Sequence, residues 1–266
     1  MHTLAATVFV VHQPPIDLQR ARSFGGVADE YERGRPSYPL EAIIWLLGWE
    51  PLDVVELGAG TGKLTARLVE AGHRVIAVEP SAGMRAVLAE RVPGVQLVTA
   101  SAEDTGLAER SADAVVAAAA FHWFDRSRAF PEISRILRVD GTLGLIGSRF
   151  DQTTPWAVRL RSVLGEPSRT GTSRHWPERD ELGQWFQETE EDHWFPFTEQ
   201  VDRQRLIDYA LSRSTFAVLP PDEQRAAAAR VGNFWDTDPD LRGQQTAELA
   251  YQTLVRRARG VRLPPG

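Results

Sequence analysis

Residues 53–65 read Asp-Val-Val-Glu-Leu-Gly-Ala-Gly-Thr-Gly-Lys-Leu-Thr. An apolar run ends in Glu56, three alternating glycines follow at Gly58, Gly60 and Gly62, and a helix then begins. Glycine lets a backbone turn sharply from strand to helix and lets it approach a ligand closely. The spacing separates the known nucleotide loops from one another. A dinucleotide fingerprint, Gly-x-Gly-x-x-Gly, needs its third glycine at position 63, where Lys63 stands. A phosphate-cradling Walker loop needs Ser or Thr after Gly-Lys and a glycine five residues before the second one. Those positions are Leu64 and Leu57. What remains is Glu-x-Gly-x-Gly-x-Gly.

That pattern resembles motif I of the class I S-adenosylmethionine (SAM)-dependent methyltransferases. SAM carries no pyrophosphate, so the third glycine need not open a phosphate site at the helix N-terminus. It does carry an ammonium and a sulfonium, and a strand-end carboxylate such as Glu56 suits that charge. The alternative is an ordinary strand–loop–helix joint with glycines for packing. Glu79 weighs against it. The β-branched run Arg74–Val78 reads as a second strand and ends in Glu79-Pro80-Ser81. An acidic residue about 20 positions after the glycine loop accepts hydrogen bonds from ribose hydroxyls. The resemblance implies that Glu79 takes both hydroxyls of the adenosine ribose, with Pro80 beside it. Ser81 reads as the N-cap of a helix through Met84 to Arg91. The resemblance places Met84 along the adenine. It also matches Ala102 and Glu103 to the small and acidic residues that meet the adenine edge.

Residues 112–120 read as a buried strand, followed by Phe121-His122-Trp123-Phe124-Asp125. This run is similar to one branch of the family, the small-molecule methyltransferases of type 11, which include trans-aconitate methyltransferase-like proteins. The N-terminal Tyr31 and Arg35-Pro36-Ser37-Tyr38-Pro39 resemble that branch's Tyr-x-x-x-Arg-Pro-x-Tyr-Pro opening. The resemblance covers residues 24–147 and returns at 249–253, where a last strand is expected. It implies that Ala119 and Phe121 border the cofactor and that Tyr31 covers its amino-acid end. It makes His122 the candidate catalytic base beside the methyl group; a packed histidine that only shapes the pocket is the competing reading. Arg35 is a candidate partner for an anionic substrate or for a core carboxylate, and Arg149, Arg159 and Arg161 are weaker versions of the same idea.

Strands alternating with helices over residues 39–147 predict an α/β fold with a doubly wound parallel sheet; the resemblance implies that it is Rossmann-like, mostly parallel and seven-stranded, with a helical insertion or cap after the fifth strand. Ligands bind such sheets outside the strand carboxyl ends, where Glu56, Glu79, Glu103 and Phe121 are expected. The expected division is a flexible leader (1–23), a SAM-binding core (24–149), a cap and substrate region (150–247), and a final strand with a C-terminal tail (248–266). Helices are expected near 156–164, 180–188, 203–212 and 221–231, with a strand near 193–198. This stretch holds Trp156, Trp176, Trp185, Trp194 and Trp235, five of the eight tryptophans. They form either an aromatic-lined substrate cap or the core of a helical subdomain.

The 266 residues contain no cysteine, which excludes disulfide scaffolds, cysteine zinc sites and cysteine nucleophiles. The six histidines show no close-spaced ligand pair, so no metal is expected. The net charge of −6 argues against a nucleic-acid partner. The one basic concentration, Arg256, Arg257, Arg259 and Arg262, reads as a solvated tail. No apolar run approaches the roughly 20 residues of a membrane span, and residues 1–23 lack a basic n-region. A cytoplasmic monomer or homodimer is expected. The expected activity is methyl transfer from SAM to a small molecule with an O- or carboxylate acceptor, leaving S-adenosylhomocysteine (SAH). The alternatives are a SAM-holding enzyme of cyclisation or rearrangement, and a non-catalytic SAM-binding partner protein.

Overall fold

Val54, Val55 and Leu57 are almost wholly shielded from solvent, and the short strand they form is the centre of one mixed sheet. The computed structural model describes residues 23–151, 153–165 and 176–262. The leader expected over residues 1–23 lies outside them except for Ser23. In chain order, the first half contains a 3-10 turn (Phe24–Val27), α1 (Ala28–Gly34), α2 (Leu40–Leu47), β1 (Asp53–Leu57), α3 (Lys63–Glu70), β2 (Arg74–Val78), α4 (Ala82–Arg91), β3 (Gln96–Val98), β4 (Ala112–Ala118), a 3-10 turn (Phe121–Trp123), α5 (Arg126–Ile136) and β5 (Leu137–Phe150). The second half contains α6 (Pro155–Val163), α7 (Arg179–Trp185), β6 (Phe186–Thr189), β7 (His193–Val201), α8 (Arg203–Leu211), α9 (Ser214–Ala217), α10 (Pro221–Thr237) and β8 (Ala247–Val261).

The strand order is β3-β2-β1-β4-β5-β8-β6, with β7 also paired to β8. The first five strands are mutually parallel, and β8 runs antiparallel to all three of its neighbours. Seven strands were expected and eight segments are present, for a local reason. β6 pairs with the end of β8 (Phe186 opposite Val261, Thr189 opposite Ala258). β7 pairs with its beginning and middle (His193 opposite Val255, Val201 opposite Ala247). The two segments therefore lie on one rail of the sheet, interrupted at residues 190–192. There Glu190 takes a bidentate grip from Arg257 at 2.7 and 2.6 Å. Asp192 takes another from Arg256 at 2.5 and 2.8 Å. These contacts correct the reading of the C-terminal arginines as a solvated tail. Arg256, Arg257 and Arg259 are rungs of β8, and Arg262 donates to the Phe186 carbonyl at 2.8 Å. Their stems lie along the sheet while their heads reach carboxylates and carbonyls.

Helices cover both faces. Ile43 and Leu46 of α2 and Leu64 and Leu68 of α3 pack with Val54, Val116 and Ile146 on one face. Ile133 and Ile136 of α5 and Leu182 of α7 pack with Val55, Val115 and Leu145 on the other. A separate core gathers Trp156, Leu160, Leu206, Val231, Trp235 and Tyr251 from α6, α8, α10 and β8. Trp156, Trp176 and Trp235 are thus buried core residues, and Trp185 and Trp194 pack against the sheet core. The segment expected as helix over 180–188 turns into strand at Phe186, because Phe186 and Thr189 pair with β8.

The N-terminal segment is fastened to the second core. A β-carbon on Gly34 would lie 2.3 Å from the backbone nitrogen of Tyr209, so only glycine lets α1 lie this close to α8. Arg33 pairs with the buried Asp208 at 2.7 Å, and the Arg35 Nε donates to Ser212 Oγ at 2.9 Å. Among the described residues, no helix is long and apolar enough to cross a membrane.

Candidate active site

β1 and β4 are adjacent and parallel, so the loops leaving their carboxyl ends meet. Two adjoining cavities open there, of about 620 Å³ and about 50 Å³. Both are lined by Tyr31, Gly58, Gly60, Ala118 and Ala119. Gly58 has φ +67°, and a β-carbon on it would lie 2.7 Å from that of Ala120. Ala119 itself holds φ +49°, a left-handed conformation that costs an alanine about 1–2 kcal/mol. Its N–H donates to the Ile146 carbonyl at 2.9 Å, which fixes it. Strain of this kind clusters at ligand sites.

Two carboxylates set the polarity of the cavities. Glu79 lines the large one, its Oε2 accepting the Gly60 N–H at 2.9 Å and its Oε1 the Ser81 N–H at 2.8 Å. A carboxylate offers about four acceptor sites, so these two bonds hold the group in place and leave capacity on each oxygen. Burial raises its pKa against the pull of those two donors. Glu56 lines the small chamber and is 1% exposed. Thr65 Oγ1 donates to its Oε2 at 2.6 Å. Burial pushes its carboxyl up to about 8 despite that bond, and the nearby Glu79 adds to the rise. A buried carboxyl of this kind is matched to a cation.

The rest of the large cavity is apolar with a polar far end. Phe24 stands edge-on to Tyr31 and to Trp123, with ring centroids 5.9 and 5.8 Å apart. Pro80, Met84 and Ala102 continue the wall. At the far end Glu103 Oε1 accepts the Asp125 N–H at 2.8 Å, and Asp125 and Arg128 complete the lining. Among the described residues, no group of three or more His, Asp or Glu side chains is placed to hold a metal ion.

A family model described as a methyltransferase domain matches residues 55–145. The chain is 40% identical over 238 residues to an uncharacterized methyltransferase of Mycobacterium tuberculosis, spanning 89% of this chain and 95% of that protein. It is 33% identical over 249 residues to an uncharacterized methyltransferase-like protein of Schizosaccharomyces pombe, spanning 90% and 95%. The fold is similar to a solved structure from Anaeromyxobacter dehalogenans, provisionally assigned as a type II methyltransferase. That match has a TM-score of 0.64 and 25% identity and covers 85% of this chain and 97% of the other. The chain belongs to the SAM-dependent methyltransferase family.

The cofactor of this methyltransferase is SAM, and the donor set fits it. The positive end of SAM's amino-acid tail suits buried Glu56, and the spare oxygen capacity of Glu79 suits a ribose diol. The apolar wall through Met84 and Ala102 suits an adenine.

Of the residues expected at the cofactor, Tyr31, Gly58, Gly60, Glu79, Pro80, Met84, Ala102, Glu103 and Ala119 line the large cavity, and Glu56 lines the small one. Gly62, Phe121 and His122 line neither. Gly62 has φ +85° as the N-cap of α3, and a β-carbon on it would meet Leu88 at 2.8 Å, so its role is packing. Phe121 is buried against Phe124 and Phe130. The His122 ring lies against the Trp123 ring, with centroids 4.6 Å apart, and it is Trp123 that lines the cavity. These residues form a 3-10 turn, where successive side chains point about 120° apart. Adjacency in sequence could not say which of them faces the cofactor. Arg159 is bound by Asp238 and Asp240 at 2.6 Å each. Phe24, Thr61, Lys63, Trp123, Asp125, Arg128 and Ser148 join the lining without having been singled out.

Proposed function

We propose that this methyltransferase acts on a small anionic acceptor, most simply by transferring the methyl group to a carboxylate oxygen. One observation carries the reading: Arg35 stands beside Tyr31, which lines both cavities, so a fixed guanidinium lies on the N-terminal wall next to the cofactor site. Tyr31, Arg35 and Tyr38 of the N-terminal segment and Ser148 of β5 stand opposite Glu56 and the glycine loop. That wall carries a cation at Arg35. Its charge favours an anion. The Arg35 guanidinium lies between the rings of Tyr31 and Tyr209, 5.2 and 5.1 Å from their centroids. Arg213 follows its partner Ser212, and burial, then the nearby Arg35 and Arg161, push Arg213 down to about 10.

When bound, SAM supplies an electrophilic methyl group on sulfur. A carboxylate acceptor is ionised at neutral pH, so it attacks without a general base. The products are a methyl ester and SAH, with no proton to place. The protein's part is then alignment and exclusion of water. This agrees with a lining that lacks His122.

The test is SAH release from SAM with a panel of small carboxylic acids, phenols and amines. Turnover with carboxylic acids, and its loss in Arg35→Met, is expected. Turnover confined to amines would overturn the reading.

A further inference from the structure

Tyr31 stands on the shared wall of the two cavities, and the helix that carries it is too short to hold a position alone. α1 has seven residues and no side-chain cap at its start, and isolated helices of this length are marginal in water. Its place must come from neighbouring elements. One side is fixed to α8 and the residue after it by Arg33, Gly34 and Arg35. The other side meets the glycine-loop half, and there one carboxylate makes the ion pairs. The Lys63 ammonium donates to Glu32 Oε1 at 3.4 Å, and Arg91 pairs with the same oxygen. Lys63 is the first residue of α3 and Arg91 the last of α4. Among the described residues, no other ion pair joins α1 to that half.

Stability alone does not account for this carboxylate. Its Oε2 is shielded from solvent and has no hydrogen-bond partner among the described residues. A shielded polar atom left unpaired costs free energy, and natural proteins keep few of them. Position does account for it. Cations from two different helices grip one oxygen, and the residue before Glu32 is Tyr31. Consecutive side chains on a helix point about 100° apart, so a carboxylate held on one side of α1 aims the adjacent ring. The other contacts of that ring come from Phe24, edge-on at 5.9 Å, and from Arg35 at 5.2 Å. Both belong to the same N-terminal segment and cannot by themselves place it against the cofactor half. Upstream the segment touches the start of α4, where a β-carbon on Gly83 would lie 2.3 Å from the Gly25 carbonyl oxygen. Glu32 then fixes the helix itself.

We propose that Glu32 is a positioning residue of the cofactor site: gripped by Lys63 and Arg91, it holds α1 against the glycine-loop half and so sets the Tyr31 ring on the cofactor. The role rests on SAM as the cofactor and not on the nature of the acceptor. It belongs to the side of α1 that faces α3 and α4, so the contacts with α8 can be broken without it.

The test is a double-mutant cycle on the full chain, read as SAH affinity by calorimetry, with chemical denaturation to report that each variant is folded. Tyr31→Ala should weaken SAH at least about tenfold, the scale of one lost aromatic contact. Glu32→Gln should weaken SAH about fivefold in the parent chain and less than about twofold in the Tyr31→Ala background, a coupling of the size found between residues of one network. Arg91 lines neither cavity, and Arg91→Met should show the same pattern at about threefold. It decides the case if Glu32→Gln does not fold. A merely structural role would lower stability and leave the SAH affinity of the folded variants unchanged, which would overturn the proposal. So would an equal loss in both backgrounds, which would route the effect through Lys63 and not through Tyr31.

Discussion

The two halves of this methyltransferase are held together by different kinds of contact. In the half that carries the glycine loop, the decisive bonds are short in sequence: Gly60 to Glu79 spans 19 residues, Thr65 to Glu56 spans 9 and Ser81 to Glu79 spans 2. In the half that closes the site, they are long. Arg33 reaches Asp208 across 175 residues, Arg35 reaches Ser212 across 177, and the Ser37 N–H reaches Glu199 across 162. The first half sets the glycine loop and its two carboxylates in a rigid local frame. The second joins the N-terminal segment to residues 199–212 and walls the small chamber. Changes in the first should act on cofactor affinity, and changes in the second on stability and acceptor use.

The largest effect is expected at Gly58. An alanine there meets both a left-handed φ and the Ala120 side chain. Together these amount to about 3 kcal/mol, so SAM affinity should fall roughly a hundredfold. Equilibrium dialysis measures this, and an affinity within a few-fold of the parent would break the account of the loop.

Glu56 should make cofactor binding pH-dependent. Its carboxyl is raised to about 8 in the free protein, so it is mostly protonated at pH 7, while the cofactor's ammonium favours the ionised form. Binding at pH 7 should therefore release a proton, and affinity should rise with pH up to about 8. The sign for folding is opposite. A carboxyl raised above its unfolded value makes the folded state less stable as pH climbs from the unfolded value to the folded one. Calorimetry in buffers of different ionisation enthalpy reads the proton, and Glu56→Gln should abolish its release.

Gly34→Ala sharpens the comparison from the other side. The new methyl group would strike the α8 backbone, and overpacking of this kind costs about 1–3 kcal/mol. Chemical denaturation should show that loss, while SAH affinity of the folded variant changes little. The smallest effect is expected at His122. Because His122 lines neither cavity, His122→Ala should keep SAM affinity and turnover within about twofold. A large loss of turnover would restore His122 as the base.

The same division explains what was legible in the sequence. The order of strands β1 to β5 and the loop around Glu56, Gly58, Gly60 and Glu79 could be read because each signal is a local pattern: an apolar strand, an acidic end, a glycine turn. The second half resisted for physical reasons. The five late tryptophans look alike as ligand walls and as core, and burial decides for core at Trp156, Trp176 and Trp235. The C-terminal arginines look like a tail until Glu190 and Asp192, more than 60 residues earlier, supply their partners. The Phe-His-Trp run located the site but not the residue that faces it, since a 3-10 turn changes direction at every step.

The central claim is that a loop-anchored Glu79 and a buried Glu56 hold the two ends of SAM. The most direct measurement is SAM binding by calorimetry to the parent chain and to Glu79→Ala. Loss of two hydrogen bonds to a charged acceptor, at about 1.5–3 kcal/mol each, predicts a fall of at least about a hundredfold with the fold intact. An unchanged affinity in a folded Glu79→Ala variant would contradict the account, because the ribose would then have to be held by something other than the carboxylate at the end of β2.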